Sequence, residues 1–370
     1  MMDKPLNDLT VVSLEQAVAA PYCSRLFAEG GARVIKLERP EGDFARAYDS
    51  VVHRESAYFV WLNAGKESIS VDLRLELDRE LLKKMLVQAD VFIENLKPGS
   101  LSRLGFGYDV VREINPQIVM CSISGYGTNN DYANMKAYDA LIQAETGLCS
   151  VTGTPGQPAK VGASICDIAT GLTAYGEILK ALHSRSHSNT GAYIECSLFE
   201  TLAEWMAVPL AYYEYGGKLL QGSGMDHSML APYGAFDASD GAVFIVIQNQ
   251  REWQRLCVDV LDLPALVEDA RFRTNSDRVE NVGALREAIN EVFRQFTRKQ
   301  LFNKLDTAQI AFGNINDVSD LGEHPALKRK EVSVAGKPVS IVARTGDNNR
   351  AGSAVPALDE HGDRLRAEFA

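Results

Sequence analysis

The sequence predicts an α/β protein: a doubly wound parallel sheet in a large domain, joined to a smaller α+β domain. Three observations predict it. Runs rich in β-branched residues alternate with helical runs over the first 125 residues. Those strand-like runs end in loops bearing Gly or Pro. From about residue 225 the pattern changes to a hairpin followed by amphipathic helices. A chain of 370 residues suits roughly two domains of ordinary size.

Taken in order, LTVVSLE (9–15) and ARVIKLE (32–38) read as strands, with PYCSRLFAEGG (21–31) between them as a helix closed by glycines, which makes one βαβ unit. SISVDL (68–73), VFIEN (91–95) and PQIVMCSISG (116–125) repeat the strand signal. Leu77, Leu81, Leu82, Met85 and Leu86 share one face of the helix between the first two of these. Residues 138–215 read as helix-rich. YGAFDASDGAVFIVIQ (233–248) then reads as a hairpin turning at Asp240-Gly241, REWQRLCVDVL as an amphipathic helix, and roughly 279–296 and 298–308 as two more. QGSGMDHSML (221–230) is loop-like, so the large domain is set at 1–224 and the small one at 225–330.

The composition, 46% hydrophobic and 24% charged, is that of a globular protein. A net charge of -11 argues against a nonspecific nucleic-acid binder, which needs clustered Lys and Arg, but a local basic pocket can still take an anionic small ligand. No run approaches the ~18 apolar residues of a membrane span, and MMDKPLNDLTVV lacks the apolar core of a signal peptide. A cytoplasmic protein with no membrane partner is expected. Cys23, Cys121, Cys149, Cys166, Cys196 and Cys257 stand in apolar contexts without CxxC or metal spacing, so buried reduced thiols and no metal are expected.

The first βα turn, EQAVAAPYC, has no glycine, and neither GxGxxG nor GxxxxGK[ST] occurs, which removes a dinucleotide fingerprint and a P-loop. No GxSxG occurs, and His53, His183, His187, His227, His324 and His361 form no triad signature. What remains is a pair of acids. In VGASICDIATG (161–171), Asp167 precedes Ile168, Leu172, Tyr175, Ile178, Leu179 and Leu182, one helical face, so it stands at a helix N-terminus. Asp139 heads a second helical run, KAYDALIQAETG, in the same way. Both fit an N-cap, and either fits a reactive carboxylate. Loops after the strands carry Arg39, Lys66, Lys97 and Arg103, which on one rim of a doubly wound sheet form a cationic patch suited to phosphates. SGYG (124–127) belongs to the same rim, and His227 lies in the loop GMDHSMLAPYG.

The stretches AAPYCSRLFAEGGARVIKLERPEGD, NAGKESISVDL, ENLKPGSLSRLGFGYD, SISGYG, VGASICDIATGLTAYGEILKALHSRSHSNTGAYIECSLFE, APYGAFDASDG and PALDEH, in this order and spacing, resemble the class III coenzyme A transferases. That family includes formyl-CoA transferase, carnitine-CoA transferase and the α-methylacyl-CoA racemases. The resemblance implies a Rossmann-like large domain built from both ends of the chain, with residues 331–370 returning to it, and an interlocked homodimer. It implies that Asp167 is the nucleophile, assisted by Asp139, and that coenzyme A is a substrate with no tightly bound cofactor. Coenzyme contacts are expected at Arg39, Lys66, Lys97, Arg103, Gly125 and Tyr138. Acceptor contacts are expected at Val18, Arg46 and His227, with backbone N–H groups of Gly222 and Gly224 facing the thioester oxyanion.

Two departures refine this. Racemases of the family carry His where this chain has Tyr138, and a phenol of pKa ~10 is a poor base at neutral pH. Formyl-CoA transferases carry Gln where this chain has Val18, and a run of four glycines for which QGSGMDH is at most a reduced counterpart. The chain is most similar to members that move CoA from succinyl-CoA to short branched dicarboxylates such as itaconate, mesaconate or citramalate. A racemase and a non-catalytic CoA-binding protein are the alternatives. An aqueous aspartate of pKa ~3.9 displacing a thiolate of pKa ~8.5 is mismatched by about 6 kcal/mol. The apolar VGASIC and IATG segments are expected to exclude water around Asp167, while helix N–H groups keep it ionised.

Overall fold

The computed structural model describes residues 4–346 and 353–370. Residues 1–3 of the N-terminal start and 347–352 of the C-terminal segment lie outside the described residues. The chain divides into two compact units, one comprising Met1–Leu148, Lys160–Leu210 and Lys328–Ala370, the other Cys149–Ala159 and Ala211–Leu327.

The first unit is built on six strands, β1 Thr10–Leu14, β2 Arg33–Glu38, β3 Glu67–Ser70, β4 Val91–Glu94, β5 Val119–Ser124 and β6 Ala192–Ser197. They pair in parallel in the order β3-β2-β1-β4-β5-β6. The direction of winding reverses between β1 and β4, which opens a crevice at their carboxyl ends. Successive strand residues feed opposite faces: Val11, Val34 and Ile93 pack in one cluster, Val12, Ile35 and Phe92 in another. Burial of both faces is why these strands read as continuous apolar runs.

The helices that matter for the site are α1 Ala19–Gly30, α2 Ala57–Asn63, α3 Glu76–Gln88, α4 Asp139–Glu145, α5 Ile165–Ser188 and α6 Ala207–Gly216. Gly31, at φ 106°, terminates α1. In α3 the expected face holds for Leu81, Leu82, Met85 and Leu86, but Leu77 is 84% exposed because it lies in the first turn, beyond the sheet. Residues 138–215 contain the unexpected strand β6, whose alternating half-buried pattern carries little hydrophobic signal at the sheet edge.

On α5 the expected face holds for Tyr175, Ile178, Leu179 and Leu182, which pack against the core, but not for Leu172. Leu172 is 51% exposed, and the buried residues are Cys166, Ala169, Thr170, Gly171, Ala174 and Ile178. Small residues mark the contact because α1 lies close: a Cβ on Gly171 would fall 2.5 Å from the Ala19 carbonyl oxygen. Gly171→Ala is therefore expected to destabilise the protein by about 1–3 kcal/mol, measured by chemical denaturation, and to lower turnover by displacing the start of α5.

The C-terminal segment covers the free edge of β3. His361 Nδ1 accepts from the Ser68 N–H (3.2 Å), the His361 N–H donates to the Ser68 carbonyl (3.0 Å), and Asp359 accepts from the Ser70 N–H (2.8 Å). Glu368 forms a two-bond ion pair with Arg33 on β2.

The second unit holds an antiparallel sheet of β7 Tyr233–Ala238, β8 Gly241–Val246 and β9 Ala311–Asn314, with β8 in the centre. Phe236, Val243, Ile245, Trp253, Ile289 and Phe293 form its core. The hairpin is present, but Ala238 pairs with Gly241, so the turn is Ser239-Asp240, one residue earlier than expected.

Candidate active site

A cleft of about 640 Å³ opens at the carboxyl ends of β1, β4 and β5. Its walls come from residues 16–19 after β1, 95–98 after β4, 123–125 at the end of β5, and 133–140, together with Tyr48, Tyr58, Ser164 and Asp167. All belong to the first unit.

The β1–α1 turn is fixed without glycine. Ala17 adopts φ 63°, and the Gln16 and Ala17 N–H groups donate to Asn95 Oδ1 (2.9 Å) and Asp43 Oδ1 (3.1 Å). Behind the turn lies a buried ionic cluster. Lys36 Nζ contacts Asp43 Oδ2 (2.9 Å) and Glu15 Oε1 (3.4 Å), Lys66 Nζ contacts Glu15 Oε1 (2.7 Å), and Arg46 pairs with Glu38 (2.7 Å). Three cations thus meet three carboxylates, and the cluster is neutral. Burial alone would raise the Glu15 carboxyl, but Lys66 and Lys36 outweigh it and hold it at about 2. Burial brings the Lys66 ammonium down to about 8, against the opposing pull of Glu15.

Asp167 lies in the first turn of α5 and is not its cap. The N-cap is Ser164, whose hydroxyl bonds the Tyr58 hydroxyl (3.0 Å) instead of the helix backbone. The cap comes from another helix: Asp139 Oδ1 accepts from the Cys166 N–H (2.8 Å). Its other oxygen, Oδ2, accepts from Gln143 Nε2 (2.7 Å). Among the described residues no hydrogen bond reaches the Asp167 carboxylate, so the expectation that helix N–H groups hold it ionised is not met. Burial, with the charge of Asp139 adding, pushes its pKa up to about 7. Near it, burial and the charges of Asp43 and Asp167 push the Tyr48 hydroxyl up to about 12.

The rim residues divide into two groups. Lys97 lines the cleft and is exposed; Arg39, on the loop after β2, and Arg103, at the end of the short helix Ser100–Arg103, are also exposed but are not part of its lining, Arg39 donating to the Gly42 carbonyl and Arg103 to Ser100 Oγ. Val18, Gly125 and Tyr138 also line the cleft, Tyr138 with its ring exposed. Lys66 and Arg46 depart from expectation. The Lys66 ammonium is buried with Glu15, the Pro21 carbonyl and Asn63 Oδ1 taking its three protons. Arg46 spends Nε and Nη2 on Glu38 and lies 3.7 Å over the Phe59 ring.

Gly222, Gly224 and His227 belong to the second unit, whereas the cleft walls belong to the first. The Gly222 N–H donates to the Ser150 carbonyl (2.9 Å) and the Gly224 N–H to the Gly153 carbonyl (2.5 Å), so neither amide is free for an oxyanion. His227 accepts at Nδ1 from the Met229 N–H (3.0 Å) and packs on Tyr233. Sequence reasoning passed over Tyr48, Tyr58, Ser164, Lys136 and Gln143. Only Gln143, one helical turn after Asp139, had a spacing that could have drawn attention to it.

Known proteins share this architecture. Residues 6–361 match the family model for CoA-transferase family III. The chain is 34% identical over 376 residues to the acetyl-CoA:oxalate CoA-transferase of Acetobacter aceti, covering 99% of this chain and 96% of that one. It is 34% identical to the succinyl-CoA:glutarate CoA-transferase of Mus musculus, covering 86% and 73%. The crystal structure of a CAIB/BAIF family protein from Brucella suis superposes with a TM-score of 0.83 at 35% identity, covering 99% of each chain. The cleft at the switch point of a doubly wound sheet, the paired acids in its wall and a family match over nearly the whole length lead to one assignment: this protein is an enzyme belonging to family III of the CoA-transferases.

Proposed function

We propose that the protein moves CoA from an acyl-CoA donor, succinyl-CoA in the first instance, to a short dicarboxylic acid such as itaconate, mesaconate or citramalate, with Asp167 as the nucleophile. The observation that carries this reading is a carboxylate in a cleft wall, without a hydrogen-bonding partner and raised by burial to about 7. At that basicity the gap to a thiolate of pKa ~8.5 shrinks from about 6 to about 2 kcal/mol. An Asp167 oxygen bonds to the thioester carbon as the C–S bond breaks, giving a mixed anhydride and CoA thiolate. The thiolate attacks the aspartyl carbonyl, releasing the donor acid and leaving aspartyl-CoA. The acceptor carboxylate then displaces the thiolate, which recaptures the acceptor acyl group and frees Asp167.

Lys97 and Lys136 in the cleft wall, with Arg39 and Arg103 near it, supply cationic groups for the CoA phosphates. Two relatives named for oxalate and glutarate support a dicarboxylate acceptor. Helix α6 carries Val208, Leu210, Tyr213 and Tyr215 at 51–88% exposure and buries none of its residues, which supports a homodimer that covers it. Six free thiols, five of them buried, favour a reducing, cytoplasmic location.

The test is incubation with succinyl-CoA or acetyl-CoA and a panel of acids: itaconate, mesaconate, citramalate, oxalate, glutarate and monocarboxylates. Product masses show which acid becomes a thioester. Acceptor-dependent formation of a dicarboxylate thioester is expected. Solvent deuterium entering the acyl α-carbon with no acceptor present would show a racemase instead, and CoA binding without any product would show a binding protein.

A further inference from the structure

Gln143 has no part in the chemistry above, yet its amide lies at the junction of three segments that build the site. It stands on α4, fully buried. Nε2 donates to Asp139 Oδ2 (2.7 Å) and to the Val161 carbonyl (3.3 Å), while Oε1 accepts from the Val161 N–H (2.8 Å). The same Asp139 carboxylate accepts, through Oδ1, the Cys166 N–H at the start of α5. One amide side chain therefore clamps the loop leading into α5 and also fixes the carboxylate that caps that helix one residue before Asp167.

We propose that Gln143 is a positioning residue for CoA transfer, setting the orientation of Asp139 and through it the place and charge environment of Asp167. This rests on Asp167 being the nucleophile. The chemistry demands such a device. A carboxylate that makes no hydrogen bonds of its own has nothing to hold it except the helix it rides on, and the α5 N-terminus is held by Asp139 and the Ser164–Tyr58 contact. Asp139 also sets the local field. Of the titratable groups that line the cleft with Asp167, namely Tyr48, Tyr58, Lys97, Lys136, Tyr138 and Asp139, it is the Asp139 charge that bears on the Asp167 carboxyl. The amide type matters: only Asn or Gln can donate a hydrogen bond to a carboxylate while exchanging two hydrogen bonds with a peptide unit.

The test compares Gln143→Met, which keeps the length and removes both functions, with Gln143→Glu, which keeps the acceptor for the Val161 N–H but sets a second carboxylate against Asp139. Each is assayed for kcat, KM for the acyl-CoA and the pH profile of turnover. Gln143→Met is expected to lower kcat by about 10²-fold with KM changed less than about threefold. Its acidic limb should move to lower pH by about half a unit or more, because the Asp139 charge is no longer held in place beside Asp167. Gln143→Glu should move that limb the other way, to higher pH, as a second negative charge adds to the first.

Opposite displacements are something a purely structural role does not produce. Kinetics at the wild-type level in both variants would overturn the proposal, as would equal losses in both with an unmoved limb. Should Gln143→Met fail to fold, the direction of the Gln143→Glu limb alone decides. Asp167→Asn, assayed in parallel, separates the two levels: activity surviving in that variant rejects the nucleophile, whereas activity lost there but untouched at Gln143 rejects only the clamp.

Discussion

Asp167→Asn is expected to cut CoA transfer by at least about 10³-fold while leaving acyl-CoA binding within a few-fold of the wild type. The amide keeps the shape of the side chain and removes both its charge and its capacity to form an anhydride. The same substitution should reveal the cost of holding a carboxylate in this wall. A carboxyl raised from 3.8 to about 7 keeps its proton in the folded protein where the unfolded chain has lost it. Wild-type stability therefore falls as pH rises from about 4 to about 7, and the full penalty persists above that. The asparagine variant lacks the penalty, so it should match the wild type at pH 4 and exceed it at pH 8 by up to about 4 kcal/mol in urea unfolding. Wild-type turnover should fall below pH 7 as Asp167 is protonated. A variant that is inactive but no more stable at pH 8 would mean that the charge is already solvated in the free enzyme.

Glu15→Gln is expected to produce the largest loss of stability, about 3–5 kcal/mol, because it leaves Lys36 and Lys66 buried with one negative partner fewer. The pH dependence follows from the lowered pKa. Glu15, at about 2 in the folded state against an ordinary 4.5, contributes stability that is fully present above about 4.5 and lost as pH falls through about 2. The wild type should lose about 3 kcal/mol from this group across that window, and the variant should lose none of it. Denaturant midpoints at pH 7, 4 and 3 test both statements. Because Asp43 of the same cluster holds the Ala17 amide, the variant should also bind acyl-CoA more weakly even where it remains folded.

The parallel α/β architecture was legible because burial on both sheet faces makes its strands conspicuous, whereas β6, half exposed at the edge, had no such signature. The paired acids were legible as residues but not as partners. Nothing in the spacing of Asp139 and Cys166, 27 positions apart, indicates that one caps the other's helix. Lys66 was assigned to a phosphate-binding rim because loops after strands usually present their cations outward, and Arg46 to the acceptor because a free carboxylate needs a cationic partner. The acids that capture them, Glu15 and Glu38, lie at the ends of β1 and β2 and were visible in SLE and KLE, but only the folded sheet brings those ends beside Lys66 and Arg46. On α5 Ile178, Leu179 and Leu182 marked the packed side and Leu172 did not, while the small residues Cys166, Ala169, Gly171 and Ala174 that also pack there carry no such signal.

The strap across β3 has a consequence for biosynthesis. The bond between Ser70 and Asp359 spans 289 positions, so on the ribosome the strand's outer amides wait for their partners. At 5–20 residues per second that delay is about 15–60 s, long enough for an open sheet edge to recruit another nascent chain or a holdase. Yield of active protein should depend on how slowly translation reaches the strap, and truncation before Asp359 should give an aggregating product even though every residue of the cleft is already present.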